Sequence, residues 1–506
     1  MDKGAILIAG TTSDAGKSLV TAGVCRWLRR QGVRVAPFKA QNMSNNSMVC
    51  ADGAEIGRAQ WLQAIAAGTQ PEAAMNPVLL KPGTDRRSHV VLLGKPYGEL
   101  AAGEFASGRK ALAEAAHASL AELRTRFDVV VCEGAGSPTE INLRAGDYVN
   151  LGLARRGRLP VVVVGDIDRG GVFAAMFGTL ALLDRDDQAL VAGWIVNKFR
   201  GDPALLEPGL RMLRSATGRP VLGVLPWLDG VWLDSEDGLA VAGWSGHHPG
   251  TAATLRVAVV RFPRMSNVTD VDALALEPGV AVTVTTDPDA VAAADVAVLP
   301  GTRATVDDLE WLRRTGLAEV VAARAKAGRP VLGICGGYQM LAESVDDPVE
   351  SGRGVVRGLG LLPVTVTFHV DKRLGRPQGS WAGHPVTAYE IHHGVACPSV
   401  SAESDVEPFL DGWRYGAVWG TTWHGALEND GFRRAWLTRA ASQAAVSWQP
   451  VTTAPGFAAH RESMLDRLAD AIEEHVDTTA LLSLIDHGAP DGLPFVPPGA
   501  PCMPPD

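Results

Sequence analysis

A chain of 506 residues with 46% hydrophobic and 20% charged side chains is long enough for two or three domains with sizeable cores, and its composition is that of an ordinary soluble globular protein. A net charge of -9 with no basic run argues against nucleic acid as a partner, and no apolar stretch approaches the roughly 18 residues of a membrane span. The six cysteines (Cys25, Cys50, Cys132, Cys335, Cys397 and Cys502) are scattered without CxxC spacing, which points away from a disulfide framework or zinc site and toward a reducing cytoplasm.

Ala5 to Ala9 reads as a short buried strand that runs straight into a glycine turn, so this N-terminus does not read as a signal peptide. Gly10-Thr11-Thr12-Ser13-Asp14-Ala15-Gly16-Lys17-Ser18 follows, and Leu19 to Arg30 has helical spacing. Strand, glycine loop with Lys-Ser and helix form the context that a phosphate-binding loop requires. Glycines let backbone N–H groups approach phosphate oxygens, Lys17 would reach the outer phosphates, and the Ser18 hydroxyl would sit on Mg²⁺. Five residues separate Gly10 from Gly16, one more than in the usual Walker motif. The bland alternative is a simple strand-to-helix turn.

Val33 to Phe38 reads as the next strand, and Lys39-Ala40-Gln41-Asn42-Met43-Ser44-Asn45-Asn46 follows it. So many amides and hydroxyls after a strand fit a site loop at the sheet's C-terminal edge, with Lys39, Gln41 and Asn42 on the substrate side, or else a capped turn. Asp128 to Cys132 is a third strand that ends in Glu133, a carboxylate well placed for Mg²⁺ beside a phosphate loop, or for capping the next helix. Cys132 itself reads as a small core residue. Leu159 to Gly165 closes at Asp166, and Ala192 to Val196 closes at Asn197. Asn197 is a candidate for the nucleotide base and Asp166 for the substrate side. Helical stretches at Leu112–Phe127 and Val172–Leu183 alternate with these strands, which is βα repetition and a parallel sheet covered on both faces.

From Asp229 to Thr254 the pattern weakens and Gly, His, Pro and Thr accumulate, so a domain boundary is expected there. His247 and His248 read as linker residues more readily than as metal ligands. Leu255 to Val260 restarts a second α/β unit, Val296 to Thr302 is a strand with a glycine turn, and Asp307 to Ala327 is read as helical. Val331-Leu332-Gly333-Ile334-Cys335-Gly336-Gly337 is a buried strand, a cysteine and two glycines: a strand that ends sharply and presents a nucleophile at the head of a helix. A helix N-terminus there would lower the thiol pKa and offer N–H groups to an oxyanion. A buried core thiol is the alternative. His424 ends the short strand from Val418 and is the best general-base candidate, ahead of His369, His384, His392, His393 and His460. Residues 456 to 485 read as helices. Seven prolines among residues 488–506 make a disordered tail the expectation.

Gly333-Ile334-Cys335-Gly336-Gly337-Tyr338-Gln339 closely resembles the nucleophile motif of class I (triad) glutamine amidotransferases, and the N-terminal half resembles the dethiobiotin synthetase-like ATPases, which share the lengthened phosphate loop. Together with Asp166–Gly171, Pro300-Gly301-Thr302, Tyr389–His392, His424-Gly425 and the asparagine-rich loop, residues 4 to 480 resemble the cobyric acid synthase family. The resemblance implies an α/β chain of two domains. A P-loop, dethiobiotin synthetase-like parallel sheet forms the amide synthetase at 1–230. After a linker at 231–253 comes a class I, flavodoxin-like amidotransferase at 254–445, then helices at 446–487 and the tail at 488–506.

It also implies the chemistry. Cys335 attacks the glutamine amide, His424 moves the proton, and the Gly336 N–H with the Gly301 backbone holds the oxyanion. Ammonia passes inside the protein to the synthetase. There ATP with Mg²⁺ phosphorylates carboxylates b, d, e and g of adenosylcobyrinic a,c-diamide, and ammonia displaces the phosphate. Typical triad enzymes carry Glu two residues after the histidine, where this chain has Ala426. The resembled branch works as a Cys-His dyad, which leaves open what orients the His424 ring, with Glu428 the nearest carboxylate at another spacing. Other readings are an amidating relative acting on corrinoid carboxylates a and c or on a cell-wall lipid precursor, and a P-loop ATPase switch without amidotransferase activity. The expected partners are glutamine and a corrinoid, without nucleic acid or membrane, and a homo-oligomer is compatible with all of this.

Overall fold

The computed structural model describes residues 4–84, 87–101, 105–231, 245–246, 254–399 and 406–500. The chain divides into two compact units: residues 1–43, 54–234 and 461–506 form the first, and residues 44–53 and 235–460 the second. Each is α/β and built on a parallel sheet.

In the first unit the central strands are β1 (Gly4–Gly10), β2 (Val35–Phe38), β3 (Val129–Glu133), β4 (Val161–Asp166), β5 (Val191–Phe199) and β6 (Val221–Pro226), ordered β6-β5-β4-β1-β3-β2 and all parallel. The Val161-Val162-Val163-Val164 run shows why. Val161 and Val163 face one core with Leu7 and Val130, while Val162 and Val164 face another with Ile6, Ile8 and Val131. A strand apolar on both faces is stable only inside a sheet covered twice. Helix α1 (Lys17–Arg30) covers the second face through Val20, Val24, Trp27 and Leu28.

Part of that cover comes from the far end of the chain. Helices α3 (Phe457–His475) and α4 (Thr478–His487) lay Leu465, Leu468, Ile472, Leu481 and Ile485 on the face shared with Ile6 and Val162. Arg26 of α1, nearly buried, bonds Glu462 at 2.6 Å and Asp466 at 2.8 Å. The expectation of a disordered tail is overturned for residues 488–500. Val496 is buried in the first core and exchanges two hydrogen bonds with the Gln188 side chain (2.8 and 2.9 Å), and Gly499 N donates to Ala181 O. Phe495 and Val496 give this stretch apolar anchors, and Arg185 stacks on Phe495. Residues 501–506 lie outside the described residues, as do His247, His248 and most of the 231–253 linker.

In the second unit the parallel strands are β7 (Leu255–Val260), β8 (Val280–Thr285), β9 (Val296–Leu299), β10 (Val331–Ile334) and β11 (Val418–Thr421), in the order β8-β7-β9-β10-β11. Strands Gly412–Tyr415 and Glu407–Phe409 extend it antiparallel beyond β11. The stretch read as one helix from Asp307 to Ala327 is two, Thr305–Arg314 and Leu317–Lys326, because Gly316 adopts φ 77° between them. No helix among the described residues is long and apolar enough to cross a membrane.

Candidate active site

In the first unit the loop between β1 and α1 closes on β5. Gly16 has φ 97°, and a Cβ there would lie 2.0 Å from Asn197 Nδ2, so only glycine fits. Asn197 Nδ2 donates to Ala15 O (3.0 Å), Lys198 Nζ to Asp14 O (2.7 Å) and Lys17 Nζ to Thr12 O (2.9 Å). Thr11 N is tied to Val164 O, while Thr12, Ser13 and Asp14 stay exposed. Helix α1 begins at Lys17 without a side-chain cap, which leaves its first N–H groups and its positive end toward the loop. A cavity of about 110 Å³ lies beside Asn197, walled by Leu19, Val20, Leu225, Pro226 and Leu228.

Glu133 ends β3 fully buried, and in-register pairing puts it level with Ile8 of β1. Its Oε1 accepts from Ser18 Oγ (2.9 Å) and Lys39 Nζ (2.8 Å), and its Oε2 from Gln63 Nε2 (2.5 Å). Ser18 and Glu133 thus meet as an all-oxygen pair at the head of α1, a donor set that fits a hard cation such as Mg²⁺ completed by phosphate and water. Among the described residues no three His, Cys, Asp or Glu side chains gather as a metal site on their own. Gln63 escaped the sequence reading because a lone glutamine on a helix carries no spacing signal.

Of the other substrate-side candidates, Lys39 is committed to Glu133. Gln41 Oε1 accepts from the Tyr148 hydroxyl, and the buried Asn42 donates to Gln60 Oε1 (3.0 Å). The expected loop is partly a strand, Gln41–Met43, paired with Val78–Leu80. Asp166 ends β4 with Lys198 Nζ 2.8 Å away and its Oδ1 taken by Asp168 N.

In the second unit β10 delivers Cys335 to the start of helix α2 (Gly336–Met340) with φ 50° and ψ -111°. A non-glycine residue held there is strained, and the surroundings enforce it: Cys335 N donates to Thr421 O (2.8 Å), and a Cβ on Gly337 would lie 2.0 Å from Leu299 O. Cys335 Sγ lies 4.0 Å from Ile391 O. The N–H groups of Gly336 and Gly301 have no hydrogen-bond partner among the described residues.

His424 follows β11 and is 1% exposed. Its Nδ1 lies 2.6 Å from Asp270 Oδ2, whose other oxygen accepts from Gly425 N (2.8 Å). The ring stacks on Tyr389, whose backbone exchanges two hydrogen bonds with His424. With Nδ1 on Asp270, Nε2 is the ring nitrogen left for Cys335, whose sulfur acts on the ring electrostatically. Burial alone would lower the His424 pKa. The Asp270 carboxylate and the Cys335 sulfur oppose it and raise the pKa to about 10.

The carboxylate on His424 Nδ1 is therefore Asp270, at the place where the sequence left open what orients the ring, and Glu428 makes no contact with that nitrogen among the described hydrogen bonds. Asp270 lies within a short turn, Val268–Val271, after β7. It follows a strand's C-terminal edge, the rule that singled out Glu133 and Asp166, but no local spacing ties it to a histidine 154 residues later. Cys25 and Cys132 are core thiols: burial raises the first and pushes the second up to about 12. Of the other candidate histidines, His392 bonds Gly394 O (2.8 Å) and Thr422 Oγ1 (3.2 Å), and His393 Nδ1 lies 2.9 Å from His369 O.

Residues 6–241 match the CobQ/CobB/MinD/ParA nucleotide binding domain, and residues 256–432 match the CobB/CobQ-like glutamine amidotransferase domain. Over the whole length the chain is similar to curated proteins named cobyric acid synthase. The one from Cutibacterium acnes is 63% identical over 95% of this chain and 99% of the relative. Those from Streptomyces avermitilis and Frankia casuarinae are 61% and 58% identical, each over 98% of this chain and 99% of the relative.

Proposed function

From a chain that belongs to the cobyric acid synthase family, enzymes of cobalamin biosynthesis that use glutamine as amide donor, we propose a reaction in two parts. Glutamine is hydrolysed at Cys335. The ammonia then converts carboxylates b, d, e and g of adenosylcobyrinic a,c-diamide to amides at the expense of ATP. The observation that carries this reading is the buried His424, held by Asp270 and influenced by the Cys335 sulfur, in the same chain as the Ser18–Glu133 pair.

Cys335 gives its thiol proton to His424 Nε2 as Sγ attacks the side-chain carbonyl carbon of glutamine, and the N–H groups of Gly336 and Gly301 take the oxyanion. His424, fixed by Asp270, gives its proton to the departing ammonia. It then takes one from the water that hydrolyses the thioester to glutamate and free Cys335. Asp270 keeps the imidazolium in place without itself taking the proton.

In the first unit, Gly10 to Ser18 wrap the phosphates of ATP, and Lys17 leaves Thr12 to reach the outer ones. The base enters the cavity beside Asn197. Ser18 and Glu133 would hold Mg²⁺, which neutralises phosphate charge. A carboxylate is a poor electrophile. Transfer of the γ-phosphoryl group to it creates an acyl phosphate, from which ammonia displaces phosphate to leave the amide. Lys39, Gln41, Asn42 and Asp166 frame the side on which the corrinoid carboxylate arrives, Asn42 as a buried support for the loop.

The test is mass spectrometry of adenosylcobyrinic a,c-diamide incubated with the protein, MgATP and glutamine. Four successive exchanges of hydroxyl for amino are expected. An unaltered corrinoid with glutamine still hydrolysed would refute this substrate and point to another carboxylate.

A further inference from the structure

We propose that Asn46 and Ser47 are positioning residues for glutamine hydrolysis, and that the segment from Lys39 to Ser47 makes this hydrolysis respond to the nucleotide site. The inference rests on the functional reading above and deepens it.

Residues 44–53 belong to the second unit although they follow β2 of the first. In the second unit, residues 266–270 serve both halves of the glutaminase site. Ser266 N donates to Gly301 O (2.9 Å), which steadies the oxyanion side, and Asp270 holds His424. Between these two contacts the segment is clasped from outside. Val268 N donates to Asn46 Oδ1 (3.3 Å), and Ser47 N donates to Asn267 Oδ1 (2.9 Å). Asn46, Ser47, Asn267 and Asp270 are all at most 4% exposed, so water does not compete for these bonds.

Asn267 stands at φ 50°, ψ 43°, a left-handed conformation that asparagine tolerates better than most residues but that persists only where its surroundings enforce it. The clasp is such an enforcement, three residues before Asp270. Releasing it would let the turn relax and move the carboxylate relative to Nδ1.

The other end of the same segment is Lys39, whose ammonium shares Glu133 Oε1 with Ser18. A cation held with the nucleotide by Ser18 and Glu133 would compete with the Lys39 ammonium for that carboxylate, and Lys39 would shift its contact. Residues 40–47 join that event covalently to the clasp. Filling the nucleotide site thus alters how firmly Asp270 is held, which would match ammonia release to the presence of an acceptor.

The test measures glutamate release by the full chain with and without a non-hydrolysable MgATP analogue, together with the rate of iodoacetamide alkylation at Cys335 read by peptide mass spectrometry. Wild type should accelerate about 5-fold or more with nucleotide. Asn46→Ala should lose about 10-fold in kcat with KM for glutamine within about twofold, and both the rate and Cys335 alkylation should cease to respond to nucleotide. Asn267→Gly removes the acceptor while keeping the left-handed turn accessible, so it should fold and reproduce this phenotype; the double variant should be no worse than either single. Folded variants that keep the wild-type rate and nucleotide response would overturn the proposal, as would a wild type indifferent to nucleotide. A wild type that hydrolyses no glutamine under any condition would instead overturn the functional reading on which the proposal stands.

Discussion

His424 carries two opposing forces on one ring. Burial favours the neutral imidazole, and the Asp270 carboxylate with the Cys335 sulfur favours the charged one and prevails. Replacing Asp270 by Asn should leave the fold intact and lower glutaminase kcat by about 10²–10⁴-fold, with little change in KM. A histidine whose folded pKa is raised from 6.5 to about 10 contributes stability in full below pH 6.5 and loses it as pH rises toward 10. The difference in urea midpoint between wild type and Asp270→Asn should therefore be largest near pH 6 and shrink steadily to pH 10. Lys17 offers the complementary experiment: Lys17→Ala should stop amide synthesis and spare basal glutamate release, and equal loss of both would contradict two separate sites. Cys335, Ser18 and Glu133 were readable as candidates in the sequence because each ends a recognisable strand or opens a helix, and His424 because it follows one. Asp270 was not, since the group that orients the histidine is defined by where two distant loops meet.

Among elements, the βα alternation was readable because strands buried on both faces become unbroken valine runs, as at Val161–Val164. What the pattern could not give was the partner of each helix. The amphipathic stretch at Leu465, Leu468 and Ile472 announces a helix but not that it covers β1 and β4. Ile472→Ala should cost the first unit about 2–5 kcal/mol, read as a lowered midpoint in chemical denaturation, and should leave the basal kcat for glutamine unchanged. Gly337→Ala acts on another element. Its Cβ would press on Leu299 O and push α2 off β9, so glutamate release should collapse at wild-type nucleotide affinity.

At the scale of the whole molecule, the second unit is an insertion: residues on both sides of it in the chain, up to 234 and from 461, belong to the first. This has a consequence for biosynthesis. The growing chain completes the amidotransferase unit, residues 44–53 and 235–460, while the apolar face of Ile6, Ile8 and Val162, covered in part by α1, waits for helices α3 and α4 to emerge. Domains that fold as units during translation would here finish in reverse order, inner before outer. A ribosome that stops near residue 460 releases a chain with the ammonia-producing unit whole and one face of the nucleotide sheet missing part of its cover. That uncovered part is the kind of surface chaperones and proteases seize, so an incomplete product is marked for removal by the same helices it lacks.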